Sequence, residues 1–247
     1  MPPLLSENEV CVLNERFETE HPREIVRWAL EGSGSKRVAL ASAFQAEGTA
    51  VMHMASEIRP GVRVLFLDTG FHFEETLVHK RRVAEMLGLD VVDLRGRYTP
   101  ATQAEKFGPR LYETAPDRCC DINKVLPMLE ALRELDAWVT AYRRDSSPTR
   151  AQAMFVDSYE LEPDRWMVKV NPMAAWRRED TLRYLEEHGL PHNPLYDIGY
   201  AAIGCAPCSR VRFQGENERE GRWAGLSKWE CGIHEIGGRS EPQPQPG

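Results

Sequence analysis

The sequence predicts an α/β fold with a mostly parallel sheet flanked by helices. Short apolar runs of strand length alternate with longer segments of helical period between residues 37 and 190, and this alternation is typical of βαβ units. The chain has 247 residues, of which 42% are hydrophobic, which suits one α/β domain with a sizeable core. No internal repeat divides the sequence, so we expect a single domain over residues 1–236.

The predicted elements follow in order from these patterns. Residues 6–32 contain two short amphipathic segments that break near His21-Pro22, which predicts two helices. Short apolar runs beside turns predict the strands, at residues 37–42, 62–70, 90–94, 137–143 and 166–172. Helical periodicity predicts the helices between them, at residues 46–58, 73–89 and 178–190, with residues 100–136 helical in pieces.

Composition excludes several classes of partner. The formal net charge of −7 argues against a nucleic-acid-binding protein. The first residues, MPPLLSENEVCVLNERF, turn polar too early for a signal peptide, and no apolar stretch is long enough to span a membrane. We therefore expect a cytoplasmic protein with no nucleic-acid or membrane partner, whose thiols stay reduced.

Polar residues follow two of the predicted strands at the point where each strand ends. Ser42 and Gln45 lie in SAFQAEGT after the first strand, and Asp68 and Thr69 lie in LDTG after the second. Ligands of parallel sheets bind at these strand ends, and backbone N–H groups at a following helix favour an anion. The first turn predicts a phosphate-binding loop, although it matches neither the Walker nor the dinucleotide pattern. An ordinary turn and a plain helix cap explain these two stretches just as well from sequence alone.

A basic segment follows the fourth predicted strand. Arg143, Arg144 and Arg150 lie within YRRDSSPTR, and their forked guanidinium groups suit phosphate or sulfate. A solvated surface loop is the alternative, but the position at a strand end favours binding. We therefore treat the three stretches at strand ends as one site.

Four of the six cysteines form two close pairs. Cys119 and Cys120 are adjacent in RCCDINK, and Cys205 and Cys208 lie in GCAPCSR. In a reducing compartment such cysteines are more often metal ligands or catalytic thiols than disulfides, and four thiolates can hold zinc or an iron–sulfur cluster. Adjacent cysteines are unusual for structural zinc. Two unrelated pairs, a redox-active Cys-x-x-Cys and a vicinal disulfide remain as alternatives.

Another cysteine, Cys231, lies near the end of the chain in LSKWECGIHEIGG. Arg219 and Arg222 precede it, and nearby positive charge favours the nucleophilic thiolate form of a cysteine. We expect residues from about 212 to 236 to form a flexible C-terminal segment, followed by a disordered tail at residues 237–247 that ends in PQPQPG. A thiol on such a segment can move between two partners, whereas an incidental surface thiol is the alternative.

Together these motifs resemble one family. The adjacent cysteines, CAPC and ECGIH are similar to motifs of the assimilatory adenylyl-sulfate (APS) reductases. These form the cluster-bearing branch of the APS/PAPS reductase family, where PAPS is the 3′-phosphorylated analogue of APS. RRDSSPTR and ENEREGRW also resemble stretches of that family, and the resemblance extends from about residue 30 to about residue 236. It implies an adenine-nucleotide α-hydrolase-like fold and a 4Fe–4S cluster held by Cys119, Cys120, Cys205 and Cys208.

The resemblance also implies a reaction. The enzyme would reduce APS to sulfite and AMP in assimilatory sulfate reduction, with electrons from thioredoxin or a glutaredoxin-like protein. Cys231 would attack the sulfur of APS and form an S-sulfocysteine intermediate. PAPS reductase activity, or acceptance of both nucleotides, is the alternative. We expect the reductant to be a separate protein, because the sequence has no thioredoxin-like segment, and a homo-oligomer is compatible with the sequence.

The resemblance further implies roles for residues that match the family's motifs. Lys124 would lie near both the cluster and the substrate. Ser42 and Gln45 would lie in the phosphate loop, with Asp68 and Thr69 beside the adenosine. Arginines would surround the nucleotide and its phosphosulfate, namely Arg143, Arg144, Arg150, Arg219 and Arg222.

Some features of the sequence depart from this family or fit other functions. Asn123 and Ala141 stand where the family usually has arginine and glycine, and the alanine would shift substrate placement slightly. An ATP-dependent tRNA-thiolating enzyme would need Ser-Gly-Gly-x-Asp-Ser after the first strand, where this chain has Ser42-Ala43-Phe44-Gln45. A regulatory module that binds zinc or a cluster without turnover would leave Cys231 and the phosphate loop without a use.

Overall fold

The computed structural model describes residues 3–236, and the predicted disordered tail lies outside them. The strands are β1 (Val38–Ala41), β2 (Arg63–Asp68), β3 (Asp90–Arg95), β4 (Ala137–Val139), β5 (Val156–Glu162) and β6 (Arg165–Val170). The helices are α1 (Glu7–Phe17), α2 (Pro22–Arg27), α3 (Ala46–Ile58), α4 (Glu74–Leu87), α5 (Pro100–Phe107), α6 (Leu111–Thr114), α7 (Pro116–Cys120), α8 (Leu126–Leu132) and α9 (Arg178–Glu187). Wider helical turns extend α2 over Trp28–Gly32 and α7 over Asp121–Val125.

The sheet of the described residues has the strand order β3-β2-β1-β4-β6-β5. All neighbouring strands pair in parallel except β5, which runs antiparallel to β6. The predicted mostly parallel sheet flanked by helices is therefore confirmed. β5 is missing from the sequence prediction because its residues, VDSYELE, mix polar and apolar side chains and are partly exposed, as is usual for an edge strand.

Local sequence signals explain where several helices begin and end. Ser6 begins α1 with a capping box, in which its side chain accepts a hydrogen bond from Glu9 N and Glu9 accepts one from Ser6 N. Pro22 stands at the first turn of α2, where its missing N–H costs no helical hydrogen bond. Gly88 ends α4 in the left-handed conformation, at a φ of 59°, which a residue with a side chain rarely adopts.

Apolar residues cover both faces of the sheet. One core contains Phe17, Ile25 and Met52 from α1, α2 and α3. The core on the other face contains Met128 and Leu132 from α8, and Ile236, the last residue that the structure describes, is buried in it. The end of the described chain is thus packed against the sheet.

The carboxyl ends of β1, β2, β4 and β6 lie at one edge of the sheet, because these strands are parallel. The chain beyond residue 200, which has little regular secondary structure, crosses this edge. In residues 3–236, no helix combines the length and the apolar character needed to cross a membrane.

Candidate active site

A cavity of about 190 Å³, which we call the main cavity, lies at this edge of the sheet. Its walls come from the turn after β1, the segment after β4 and the chain beyond residue 200. Two of the three strand-end stretches that the sequence assigns to one site therefore meet here, together with the C-terminal segment. The predicted site residues that line the main cavity are Ser42, Gln45, Lys124, Arg143, Arg150, Arg219, Arg222, Cys205 and Cys231.

The turn after β1 is shaped by its own hydrogen bonds. Ser42 Oγ accepts a hydrogen bond from Phe44 N at 2.9 Å, and Phe44 has a positive φ of 54°. A Cβ atom at Gly48 would lie 2.2 Å from Ser42 Oγ, so only glycine lets the first turn of α3 approach this hydroxyl. Gln45 Oε1 accepts a hydrogen bond from Ile203 N at 2.9 Å, which ties the turn to the chain just before the second cysteine pair.

Arg143 is the centre of a buried network of charges. Its side chain is only 1% exposed and donates from Nε to Glu47 at 3.0 Å, from Nη2 to Glu218 at 2.6 Å, and from Nη1 to Asp145. Burial opposes its charge, but these carboxylates raise the pKa of Arg143 above its ordinary value. Arg143 therefore connects the turn after β1 to the C-terminal segment, and three carboxylates already share its donors.

Arg150 and Arg219 share one carboxylate, that of Glu230. Arg150 donates from Nε and Nη2 to the two oxygens of Glu230 at 2.8 and 2.9 Å, and Arg219 Nη2 lies 3.2 Å from Glu230 Oε2. Burial alone would raise the pKa of Glu230, but the hydrogen bonds and charges of the two arginines hold it below its ordinary value. Burial and the charge of Arg150 lower the pKa of Arg219 to about 10. Glu230 is thus an ionised carboxylate between two arginines.

Arg222 and Lys124 form the other cationic wall of the main cavity. Arg222 Cζ lies 4.5 Å from the centre of the Trp223 ring, and Lys124 Nζ lies 5.8 Å from it. Arg222 Nε has no hydrogen-bond partner in the described residues. A Cβ atom at Gly204 would lie 1.6 Å from Arg222 Nη1, so the guanidinium group rests directly on the backbone at Gly204.

Cys231 lies at the main cavity among these cations. Its thiol is half-buried and free of disulfides. Burial would lower the pKa of Lys124, but negative charge on the nearby cysteines in their thiolate form, Cys205 first and then Cys231, raises it above its ordinary value. Arg150 also interacts electrostatically with Cys231. A thiolate at Cys231 is therefore within electrostatic reach of at least two cationic side chains.

Residues after Cys231 hold the C-terminal segment against the sheet. The His234 ring stacks on Trp138 with a centroid distance of 5.6 Å and an angle of 17° between the rings. Lys169 Nζ donates to the His234 carbonyl at 3.3 Å. Burial, and then the charge of Lys169, lower the pKa of His234 well below its ordinary value, so its ring is neutral.

All four paired cysteines line a second, smaller cavity. Lys124 and Cys205 line both cavities, so the two cavities share a wall. The four paired cysteines are free thiols, and three of them are buried. Among residues 3–236, no three His, Cys, Asp or Glu side chains come close enough together to hold a single metal ion.

Polar side chains surround the sulfur atoms of this second cavity. Asn123 Nδ2 lies 3.6 Å from Cys119 Sγ and donates to the Cys119 carbonyl at 2.9 Å, and Gln103 Nε2 lies 3.8 Å from the same sulfur. Thr69 Oγ1 lies 3.3 Å from Cys205 Sγ. Asn123, which stands where the family usually has arginine, is therefore part of the support of Cys119.

Three predicted substrate-binding residues lie outside the main cavity. Arg144 pairs with Glu18 of α1 at 2.8 Å, and Asp68 pairs with Arg95 at 2.9 Å. Thr69 is buried beside Cys205, in the second cavity. Their contacts with a substrate stay predictions.

Sequence reasoning missed the acidic residues of the site. Glu47, Glu218 and Glu230 all line the main cavity and pair with its arginines. Glu230 directly precedes Cys231 in ECGIH, and Glu218 lies inside ENEREGRW. The sequence signal that could have identified Glu218 and Glu230 was the presence of acidic residues within otherwise basic motifs.

Comparison with known proteins agrees with the motifs. The profile of the phosphoadenosine phosphosulfate reductase domain matches residues 37–211. An adenosine 5′-phosphosulfate reductase from Streptomyces coelicolor is 45% identical over 211 residues, which cover 85% of this chain and 87% of that protein. One from Mycolicibacterium smegmatis is 41% identical over 233 residues, or 93% of this chain and 96% of that protein.

A solved structure extends the similarity to three dimensions. The crystal structure of phosphoadenylyl-sulfate (PAPS) reductase from Candida auris, a phosphate complex, is 27% identical to this chain. It superposes with a TM-score of 0.70, covering 82% of this chain and 97% of that chain, and confirms the fold class that the resemblance implied. The chain therefore belongs to the phosphoadenosine phosphosulfate reductase family, together with the relatives named adenosine 5′-phosphosulfate reductase.

Proposed function

We propose that this protein reduces APS to sulfite and AMP, with Cys231 as the nucleophile and a separate thioredoxin- or glutaredoxin-like protein as the electron donor. Membership of the family makes the chain an oxidoreductase that acts on a sulfonucleotide. We choose APS because relatives that are 45% and 41% identical over most of the chain are named for it. The phosphate complex of the Candida auris protein supports an anion site in this fold.

The position of Cys231 in the main cavity is the observation that carries this proposal. Lys124, Arg150 and Arg219 all interact electrostatically with its thiol. A sulfonucleotide carries adjacent negative charges on phosphate and sulfate, so a cavity lined by cations suits it. The cavity thus brings together an anion site and a nucleophile.

The first step transfers the sulfo group (SO₃) to Cys231. The thiolate attacks the sulfur of APS, forms an S–S bond and breaks the S–O bond to the phosphate. The electron pair of that bond leaves with AMP, and the enzyme gains an S-sulfocysteine. Negative charge grows on the phosphate oxygen, where Lys124 and Arg222 would stabilise it.

The second step needs a dithiol protein. One of its thiolates attacks Cys231 Sγ, expels sulfite and forms a mixed disulfide. Its other thiol then resolves this disulfide, which restores the Cys231 thiolate and leaves the donor oxidised. Both electrons come from the dithiol, and they account for the reduction of the sulfate sulfur to sulfite.

The four paired cysteines fit an iron–sulfur cluster. Their thiols share one cavity, and the amides of Asn123 and Gln103 approach Cys119 Sγ, as hydrogen-bond donors do around cluster ligands. We propose that Cys119, Cys120, Cys205 and Cys208 hold a 4Fe–4S cluster. When bound, the cluster would place charge next to Lys124 and would not be needed as a source of electrons, since the dithiol of the donor protein supplies them.

Sulfite release from APS in the presence of thioredoxin tests the reaction. Wild-type protein mixed with APS alone should gain the mass of one SO₃ group on the peptide that contains Cys231. Cys231→Ser should bind APS but release no sulfite, whereas Cys11→Ser, a change at an exposed thiol of α1, should turn over normally. An adduct on another cysteine, or turnover by Cys231→Ser, contradicts the mechanism. Equal kcat/KM for APS and PAPS would show that the enzyme accepts both nucleotides and would contradict the preference for APS.

Metal analysis of anaerobically purified protein tests the cluster. We expect four irons and four sulfides per chain, and we expect Cys208→Ser to lose both. Cys11→Ser is again the matched control. Stoichiometric zinc without iron would contradict the cluster, because it would mean that one ion is held by the four thiolates.

A further inference from the structure

Glu230 occupies the position that an anion would take between two arginines of the main cavity. Its carboxylate makes two parallel hydrogen bonds with Arg150, at 2.8 and 2.9 Å, and a third contact of 3.2 Å with Arg219. Thr149 Oγ1 also donates to it, at 3.3 Å. Such a forked arrangement is the one in which arginine binds phosphate or sulfate. The protein thus supplies its own anion to its cationic site.

The other cations of the cavity differ in how far they are neutralised. Arg143 is surrounded by three carboxylates, none of which is Glu230. Arg222 Nε and Arg219 Nε have no hydrogen-bond partner in the described part of the chain, and Lys124 hydrogen-bonds to Cys205. An incoming anion therefore meets Glu230 at Arg150 and Arg219, and finds a free Nε donor at Arg222.

We propose that Glu230 is an internal substitute for the substrate anion, which holds Arg150 and Arg219 until an anionic nucleotide displaces it. The inference rests on the proposed function, because it requires the main cavity to bind a sulfonucleotide. Glu230 and the nucleotide anion compete for the same two guanidinium groups. Since Glu230 is bonded to Cys231 through the backbone, its displacement also changes the position of the nucleophile when substrate binds. Glu230 is therefore a positioning residue that links substrate binding to the C-terminal segment.

Two roles for Glu230, competing with the anion or only orienting the arginines, predict opposite changes in nucleotide affinity when its charge is removed. If Glu230 competes with the anion, its neutral isostere should bind an anionic nucleotide more tightly. If Glu230 only orients the arginines, the same change should weaken binding. Adenosine fills the nucleoside part of the site without an anion, so its affinity should not respond to Glu230 under competition.

Calorimetric titration of the full-length, anaerobically purified protein with AMP and with adenosine provides the test. We expect Glu230→Gln to bind AMP about tenfold more tightly than wild type, since a charge-assisted competitor is removed, with adenosine affinity unchanged. Glu216→Gln is the matched control: Glu216 belongs to the C-terminal segment and also pairs with an arginine, Arg210, at 2.6 Å, but it does not line the cavity. That variant should keep the wild-type ratio of AMP to adenosine affinity.

Three outcomes would overturn the inference. Equal or weaker AMP binding by Glu230→Gln, with adenosine affinity retained, refutes the competition by Glu230 but leaves the proposed function intact. Tighter AMP binding by Glu216→Gln as well would attribute the effect to general loosening of the segment. Absence of AMP binding by the wild-type protein would refute the proposed function and this inference with it. If Glu230→Gln does not fold, Glu230→Asp, which is too short to bridge both arginines, should show the same increase in the ratio.

Discussion

Replacing Gly204 with alanine should displace Arg222 without unfolding the protein. The new Cβ atom would lie 1.6 Å from Arg222 Nη1, whereas non-bonded heavy atoms prefer separations of about 3.5–4.0 Å. The guanidinium group must therefore retreat by about 2 Å. The colliding atoms are the end of a long side chain, so the backbone can keep its path.

The cost of this displacement follows from the geometry of the proposed reaction. Arg222 is expected to stabilise the charge that develops on the phosphate, and an error of about 1 Å in such a group can cost about 10²-fold in rate. A lost charge-assisted hydrogen bond is worth about 1.5–3 kcal/mol. We therefore expect kcat/KM for APS to fall about 10- to 100-fold in Gly204→Ala. Sulfite release under steady-state conditions measures it, with iron content and thermal unfolding as checks on the fold.

A double-mutant cycle separates this effect from damage to the neighbouring cysteines. If Gly204→Ala acts through Arg222, then Gly204→Ala should have little further effect in an Arg222→Ala background. Additive losses would show that the alanine acts elsewhere, for example on Cys205. Full activity of Gly204→Ala would refute the placement of Arg222 in the reaction.

Three further predictions concern stability and the proposed iron–sulfur cluster. Arg143→Met leaves the largely buried Glu47 without this ion pair, although Glu218 keeps Arg178. It should lower the free energy of unfolding by about 3 kcal/mol, whereas Arg144→Met, which breaks a partly exposed pair, should cost at most about 1 kcal/mol; denaturant titration of both compares them. Burial lowers the pKa of His79 to about 4, so its neutral form stabilises the fold above pH 6.5, and this contribution, about 3 kcal/mol at most, is lost as the pH falls towards 4. His79→Gln should therefore lose less stability than wild type across that interval, and equal losses would contradict the assignment. Asn123→Leu removes donors to Cys119 and should release iron about 10- to 100-fold faster to a chelator, whereas unchanged release would show that this amide does not support the cysteine.

Central elements could be predicted from sequence because their patterns are local. β1 and β2 are buried on both faces and therefore consist of near-continuous apolar runs. α3 was predicted at 46–58 and lies at Ala46–Ile58. β4 is shorter than predicted and ends at Val139, because the next residues leave the sheet to line the main cavity. The point at which β4 ends is therefore set by the main cavity and not by the strand propensity of its residues.

Side-chain partners could not be predicted in the same way. Arg143 and Arg144 are adjacent in the sequence, yet one is buried among carboxylates and the other contacts Glu18, 126 residues earlier in the chain. Arg143 is extended and Arg144 begins a short 3₁₀ turn, so their side chains point in different directions, and a basic motif does not say which arginine faces the cavity. Likewise, the cysteine motifs predicted one shared site, but they did not predict that Lys124 and Cys205 would form a wall common to two cavities.

The burial of Ile236 sets an equilibrium for the C-terminal segment. Ile236 is packed in the core that also contains Trp138 and Met167, and exposing such a side chain to water costs about 1.5–3 kcal/mol. If release of Cys231 to an electron donor carries Ile236 into solvent, this cost alone limits the released form to between about 1 and 10% of the molecules. The donor then captures a minor conformer, and its apparent association rate falls by the same fraction. In return, the S-sulfocysteine of the proposed reaction would be hidden for most of its lifetime from small thiols, which would cleave it in place of the donor.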